Sequence, residues 1–139
     1  MKRTRSALLS LLALLTLLCL AACGAGEDLW KDAIHKTDAT VGTGSTEVTV
    51  EVAAGDSEIA ITLRTDKTIL GDALLAEGLI TGEDGPYGLY VKTVNGIFAD
   101  YDTDGTYWAL YIDGKYAVSG VDTTPIEAGR TYRLSRDKG

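Results

Sequence analysis

The sequence predicts an α+β fold, in which a mostly antiparallel sheet is covered by one short helix. Three observations predict it. Apolar residues alternate with polar ones over residues 46–64, they recur at helical spacing over about 68–78, and tight-turn pairs separate the apolar runs that follow. Because the order is a hairpin, a helix and then several strands, we expect one β-grasp-like domain over residues 46–136.

The predicted domain opens with two strands joined at Ala54-Gly55-Asp56. Each strand alternates apolar and polar residues, which is the period-two pattern of a half-buried strand. The apolar residues are Val48, Val50, Val52, Ile59, Ile61 and Leu63. Since each strand has one clean apolar face, the hairpin needs an element to cover it.

The covering element is the predicted helix over about 68–78. Thr68 is the expected N-cap, because a threonine side chain can accept a hydrogen bond from the free backbone N–H groups of the first turn. Gly78 stands where a left-handed C-terminal residue belongs.

Strands and turns fill the rest of the domain. Asn95-Gly96 and Asp113-Gly114 are strong signals for two-residue hairpin turns. The predicted strands are Leu89 to Val94, Ile97 to Tyr101, Tyr107 to Ile112, Lys115 to Val118 and Thr131 to Ser135.

An export signal is predicted over residues 1–22. Three basic residues precede an apolar run from Ala7 to Leu20, and at 14 residues that run is short of the roughly 20 that span a bilayer. Leu20-Ala21-Ala22-Cys23 is similar to the lipobox of bacterial lipoproteins. The resemblance implies that Cys23 is acylated and holds the chain on the extracytoplasmic face of the cell membrane.

Residues 23–45 are expected to be a lipidated, flexible tether with little apolar content. Within it, Trp30 could lie at the lipid interface or dock on the domain. Of the two cysteines, Cys19 lies in the predicted signal, so acylation of Cys23 leaves the domain without a thiol or a disulfide.

The negative net charge limits the kinds of partner that the chain can bind. Removing the signal takes three of the 13 basic residues and none of the 20 acidic ones, so the net charge moves from −7 to −10. An acidic chain is poorly suited to nucleic acid, and membrane attachment is expected through the acyl chains rather than through charge.

Several segments of the domain carry a family resemblance. They are Thr68-Ile69-Leu70-Gly71-Asp72-Ala73-Leu74, Val94-Asn95-Gly96, the run from Tyr107 to Ala117, and Ile126 to Tyr132. Together they resemble a small domain of unknown function related to the C-terminal β-domain of transcobalamin and intrinsic factor. The resemblance is compatible with a weak ligand module, a partner-docking module or a piece of a larger surface complex. A cobalamin-type ligand is one hypothesis, and no other cofactor is expected.

Aromatic residues cluster in the second half of the domain. Tyr107 and Tyr111 share one face of a predicted strand, and Trp108 lies on the other. With Tyr116 they are the candidate ligand-binding residues, for a corrinoid or a glycan. The alternative is cross-strand aromatic pairing that only stabilises the sheet.

The sequence bears on two further kinds of chemistry, metal binding and catalysis. Asp100, Asp102 and Asp104 with Gly105 match the first half of a calcium loop, but Tyr111 stands where the loop needs a glutamate. Catalysis has little support, because the only histidine, His35, lies outside the predicted domain. We therefore expect a ligand-binding module, or alternatively a structural or protein-interaction module that uses an exposed sheet edge or the Asn95-Gly96 hairpin.

Overall fold

A computed structural model describes residues 28–139 of the chain. They form nine strands, one helix α1 (Leu70–Ala76), a helical turn α2 (Tyr101–Asp104) and a 3-10 turn (Val121–Thr123). The strands are β1 (Ala39–Gly42), β2 (Thr46–Ala54), β3 (Ser57–Thr65), β4 (Ile80–Gly85), β5 (Gly88–Val94), β6 (Ile97–Phe98), β7 (Thr106–Ile112), β8 (Lys115–Tyr116) and β9 (Thr131–Lys138). The domain is mainly β with little helix, and the β-grasp-like arrangement stays a prediction.

The strands form two sheets. The larger has the order β1-β3-β2-β9-β7-β8, and the smaller has the order β4-β5-β6. Five of the strand pairs are antiparallel, while β1 runs parallel to β3 and β9 runs parallel to β2. The sheets are thus mostly antiparallel, as the sequence predicts.

The core lies on one face of the larger sheet. Alternate residues of β2, β3 and β9 are almost fully buried there against α1 and the smaller sheet, among them Ile61, Leu63 and Leu134. Leu70 and Leu74 of α1 lie in the same cluster. The predicted β2–β3 hairpin is confirmed, with Val50 opposite Ile61 in the register.

The helix is shorter than predicted at both ends, and its N-cap is not Thr68. Ile69 occupies the N-cap position in an extended conformation and makes no side-chain cap. Ile69 also forms a β-bridge with Pro125, and this extended pairing prevents helix before Leu70. At the other end, Gly78 is left-handed as predicted, with a φ of 66°.

Residues 28–45 lie against the domain. The Trp30 indole donates a hydrogen bond to the Ala54 carbonyl (3.0 Å). Asn95, which is fully buried, accepts from the His35 N–H (2.8 Å) and donates to the His35 carbonyl (2.7 Å). The sequence predicts a flexible tether over 23–45, but residues 28–45 are packed on the domain, β1 included. The rest of the predicted tether lies outside the described residues. Trp30 docks on the domain.

Two more segments differ from expectation. The strand β4 was not predicted, because its residues beyond Ile80 are exposed and show no apolar alternation. The strand predicted over Ile97 to Tyr101 ends at Phe98, and Tyr101 instead begins the helical turn α2, since the Asp100 carboxylate accepts from the Asp102 N–H (3.2 Å). No helix within residues 28–139 has the length and apolar character needed to cross a membrane. The predicted signal and Cys23, the predicted acylation site, lie outside the described residues.

Candidate functional site

The candidate site is a cavity that opens where β8 diverges from β7. The hairpin pairs Ile112 with Lys115 and Tyr111 with Tyr116, and the Ala117 N–H still donates to the Leu110 carbonyl (2.9 Å). Beyond Ala117 the pairing ends, and a cavity of about 260 Å³ lies between β7 and residues 117–121. We call this cavity the edge slot.

The edge slot runs along the backbone of β7. Four consecutive residues, 107–110, line it, although side chains of a strand alternate between its two faces. Across the slot, residues 116–121 are also consecutive in its lining. The backbones of both segments therefore border the cavity, as expected at an incompletely paired strand edge.

The peptide groups of Trp108 face the edge slot. In an antiparallel ladder, successive residues direct their N–H and C=O groups to opposite neighbours. The Leu110 carbonyl accepts a hydrogen bond from Ala117 on the β8 side of β7. On the same side of β7, the Thr106 N–H donates to the Asp104 carboxylate (3.0 Å). Trp108 lies between them on that side, and within residues 28–139 its N–H and C=O have no cross-strand neighbour there.

The side chain of Trp108 adds a second unpaired donor. Trp108 is only 8% exposed, and its Nε1 is a buried atom with no hydrogen-bond partner in the described part of the chain. A buried tryptophan N–H usually has a partner. Trp108 therefore borders the cavity and also carries an unsatisfied indole N–H.

The three candidate tyrosines lie close together but play different parts. Tyr107 and Tyr116 line the edge slot, whereas Tyr111 is not in its lining. The Tyr111 hydroxyl donates to the Asp137 carboxylate (2.7 Å), and its ring meets that of Tyr116 edge-on at 5.5 Å. Hydrogen bonding of the Tyr107 hydroxyl to the neighbouring Tyr116 and partial desolvation raise the pKa of Tyr107 to about 12.

The rim of the edge slot is apolar and unusually exposed. Val118 is fully exposed, and Tyr116 is 57% exposed. Leu89 and Tyr90 of β5 line the opposite side of the slot. There the Leu89 N–H donates a hydrogen bond to the Asp122 carboxylate (3.2 Å). None of the described residues that line the slot carries a charge. In a chain of net charge −7, this neutral opening favours an uncharged, partly apolar group.

The acidic loop is arranged differently from a cation site. Asp100 accepts from Lys92 (3.1 Å), and Asp104 accepts from Arg136 (3.0 Å), so each of these carboxylates faces a side-chain cation. Hydrogen bonding to Lys92 lowers the pKa of Asp100, and hydrogen bonding to Thr106 lowers that of Asp104. Among the described residues, no group of three acidic, histidine or cysteine side chains could hold a metal ion, so the structure does not bring Asp100, Asp102 and Asp104 together as ligands.

The Asn95-Gly96 hairpin, considered above as an interaction surface, is covered by the chain itself. The Ile34 N–H donates to the Asn95 carbonyl (2.9 Å), and Gly96 lies directly beside the Asp32 carbonyl.

Part of the slot lining is not predicted by the sequence. Leu89 and residues 118–121 carry no local signal of a site, because only the packing of the smaller sheet and the path of the chain after β8 bring them to β7.

Comparisons with known proteins give a family and a fold. The family described as a domain of unknown function (DUF4430) matches residues 66–132. A solved structure of a protein from Ruminococcus gnavus ATCC 29149, described as a candidate metal binding protein, is 33% identical in sequence. The match covers 68% of this chain and 99% of that chain, with a TM-score of 0.64.

A second solved structure is haptocorrin in complex with Cbi, which is 19% identical with a TM-score of 0.54. This match covers 70% of this chain and 26% of haptocorrin, so the chain spans about a quarter of that protein and the likeness concerns the fold alone. No curated protein matches the chain in sequence.

Proposed function

The chain belongs to the DUF4430 family of domains of unknown function, and we propose that it is a membrane-anchored extracytoplasmic lipoprotein whose domain binds a small ligand without catalysis. The ligand site is the edge slot. The candidate ligand classes are a corrinoid and a glycan.

The observation that carries the proposal is the edge slot itself. Its lining combines aromatic and aliphatic side chains with a few unpaired polar groups, which is the usual composition of a small-molecule site. Val118 is fully exposed at the rim of the slot, where its apolar side chain is in contact with water. Exposed apolar surface of this kind often marks a binding site. A ligand that covers Val118 and Tyr116 would bury this surface.

Of the two structural relatives, the Ruminococcus protein, at 33% identity, supports binding rather than catalysis. The Ruminococcus protein is described as a candidate metal binding protein, and haptocorrin is solved with Cbi bound. For this chain the described residues offer no three-ligand metal group, which favours an organic ligand over a metal ion. The single histidine, His35, lies in the N-terminal segment and not in the slot lining.

A structural or protein-interaction module is the alternative. The observation that favours it is the open edge of β7, since an unpaired strand edge can accept a strand from a partner. Binding of a small ligand in the edge slot and pairing of a partner strand at the same edge would compete, so a ligand screen also bears on this alternative.

Ligand binding is tested by titrating the full chain, in detergent, with dicyanocobinamide and with chito-oligosaccharides. Val118→Glu places a carboxylate at the rim of the neutral slot and should weaken binding at least tenfold. Leu75→Glu is the matched control, because Leu75 is 45% exposed on α1, away from the slot. Failure of both ligand classes to bind would contradict the ligand-binding proposal.

Membrane anchoring rests on the lipobox, and it is tested separately in bacterial cells. The unmodified chain should incorporate labelled palmitate and sediment with membranes. Cys23→Ser removes the thiol that the acyl group requires, so the label should be lost and the protein released. Retention of the label in Cys23→Ser would contradict acylation at this position.

A further inference from the structure

We propose that the edge slot recognises a neutral carboxamide group on its ligand, through the peptide groups and the indole N–H of Trp108. This inference rests on the proposed function and names the chemical class that the site selects. A carboxamide could come from the amide side chains at the periphery of a corrinoid or from the N-acetyl group of a sugar.

The first argument is that no charged side chain of the described residues lines the slot, the nearby Asp122 carboxylate being bonded to the Leu89 N–H at its edge. A carboxylate or an ammonium group entering an apolar cavity loses its hydration, and this loss is offset only by an opposite charge or several hydrogen bonds. No charged side chain lines the slot in the described chain, and its polar side chains are the hydroxyls of Tyr90, Tyr107, Tyr116 and Ser119 and the Trp108 indole. The lining therefore favours a ligand group without charge.

The second argument is the kind of unpaired hydrogen-bonding group that the slot presents. Trp108 offers two donors, its peptide N–H and its indole N–H, and one acceptor, its carbonyl oxygen. A carboxylate supplies acceptors alone, and an ammonium supplies donors alone. A primary amide supplies two N–H donors and an oxygen with two lone pairs in one plane, so it can satisfy both kinds of group without a charge.

The third argument concerns access to the indole. Nε1 is closed off by its surroundings in the unliganded chain, so a ligand oxygen reaches it only after a local shift. Residues 118 and 119 are exposed, and within the described chain their backbone N–H groups make no hydrogen bond. A shift of this segment breaks no backbone hydrogen bond, and the proposal requires that such a shift opens a path from the slot to the indole.

The test uses matched ligands on the full chain in detergent. Dicyanocobinamide, which carries amide side chains, is compared with dicyanocobyrinic acid, whose side chains are carboxylates. Diacetylchitobiose is compared with chitobiose, in which each N-acetyl group is replaced by an amine. The two comparisons remove the amide with opposite changes in charge, and they distinguish a corrinoid source from a sugar source.

We expect one amide-bearing ligand to bind at least tenfold more tightly than its amide-free partner and to move the indole N–H resonance of Trp108. Trp108→Phe keeps a ring but removes the donor, and should weaken binding of that ligand about tenfold. Trp30→Phe is the control, because it removes the other indole N–H, which bonds Ala54 and not the slot. It should leave binding unchanged and assigns the resonance.

The outcomes separate this inference from the function on which it rests. If an amide-free ligand binds as tightly as its amide partner, the carboxamide inference is overturned while ligand binding stands. An unmoved Trp108 resonance on binding would overturn the role of the indole, and this measurement needs no variant. If none of the four ligands binds, the proposed function fails together with the inference.

Discussion

Asn95 provides the sharpest test of how the N-terminal segment is held. Its side chain makes two hydrogen bonds to the backbone of His35, at 2.8 Å and 2.7 Å, and it is fully buried. Its backbone is left-handed, with a φ of 52°, in the turn that it forms with Gly96. Replacing Asn95 therefore affects both the bonds to His35 and the backbone conformation.

The two effects can be separated by two substitutions. Each hydrogen bond contributes about 1 kcal/mol, so Asn95→Gly, which keeps the left-handed turn, should lower the free energy of unfolding by about 2 kcal/mol. Asn95→Ala loses the same bonds and also strains the left-handed backbone, which costs roughly 1 kcal/mol more. The alanine variant should therefore unfold about 3 kcal/mol more easily than the unmodified chain.

The assay is urea unfolding followed by the fluorescence of Trp30 and Trp108, one on the N-terminal segment and one in the core. Loss of the His35 bonds should affect the Trp30 signal at lower urea than the Trp108 signal. An Asn95→Ala variant that loses less than about 1 kcal/mol would refute the reasoning, as the lower limit of two such bonds is about that size. Equal effects of glycine and alanine would refute the backbone contribution.

Three further predictions follow from single contacts. Trp30→Phe removes the bond to the Ala54 carbonyl, so the free energy of unfolding should fall by about 1 kcal/mol and trypsin should cleave faster at Lys31 and Lys36; unchanged cleavage would contradict docking of this segment. Gly82→Ala brings its Cβ to 2.5 Å from the Tyr90 carbonyl oxygen and should cost about 1–3 kcal/mol in thermal or urea unfolding, whereas Gly85→Ala in the same strand, with 3.4 Å to its nearest atom, should be nearly neutral. The Lys92–Asp100 pair should stabilise the fold only over a limited pH range. The pKa of Asp100 is lowered, so the stabilisation from this carboxylate is present above the ordinary value of 3.8 and is lost as the pH falls below it. The pKa of Lys92 is raised, so the stabilisation from this ammonium group is present below 10.5 and is lost as the pH rises above it. The stability difference between Asp100→Asn and the unmodified chain should therefore shrink in acid, and a difference that persists there would contradict the pairing.

The elements that sequence predicts best are those whose conformation is decided locally. Asn95-Gly96 and Asp113-Gly114 both adopt positive φ at each residue, because these residue types tolerate the left-handed region that a two-residue hairpin turn requires. The β2–β3 hairpin is predicted for a similar reason, since its alternation and its turn lie within 20 residues. β1 and β4 escape prediction because they are edge strands, whose pairing depends on the strand beside them rather than on their own pattern.

The same division applies to the candidate site. Tyr107, Trp108 and Tyr116 are predicted from the aromatic pattern around one turn, and all three line the edge slot. Tyr111 follows the same pattern, but its hydroxyl is bonded to Asp137 and it lies outside the lining. The sequence does not predict that the peptide groups and the indole N–H of Trp108 are unpaired, because their pairing depends on where β8 ends and on the packing around the indole.

The docking of residues 28–42 on the domain has a mechanical consequence. Tension applied from the N-terminal side of the chain reaches the Trp30–Ala54 and His35–Asn95 hydrogen bonds before it reaches β2 or β9. These bonds and the short parallel pairing of β1 should yield first, at a force that leaves the core and the edge slot intact. Release of the 15 residues would extend the chain by about 50 Å at roughly 3.5 Å per residue. The segment would therefore act as a force-limiting spacer in series with the edge slot.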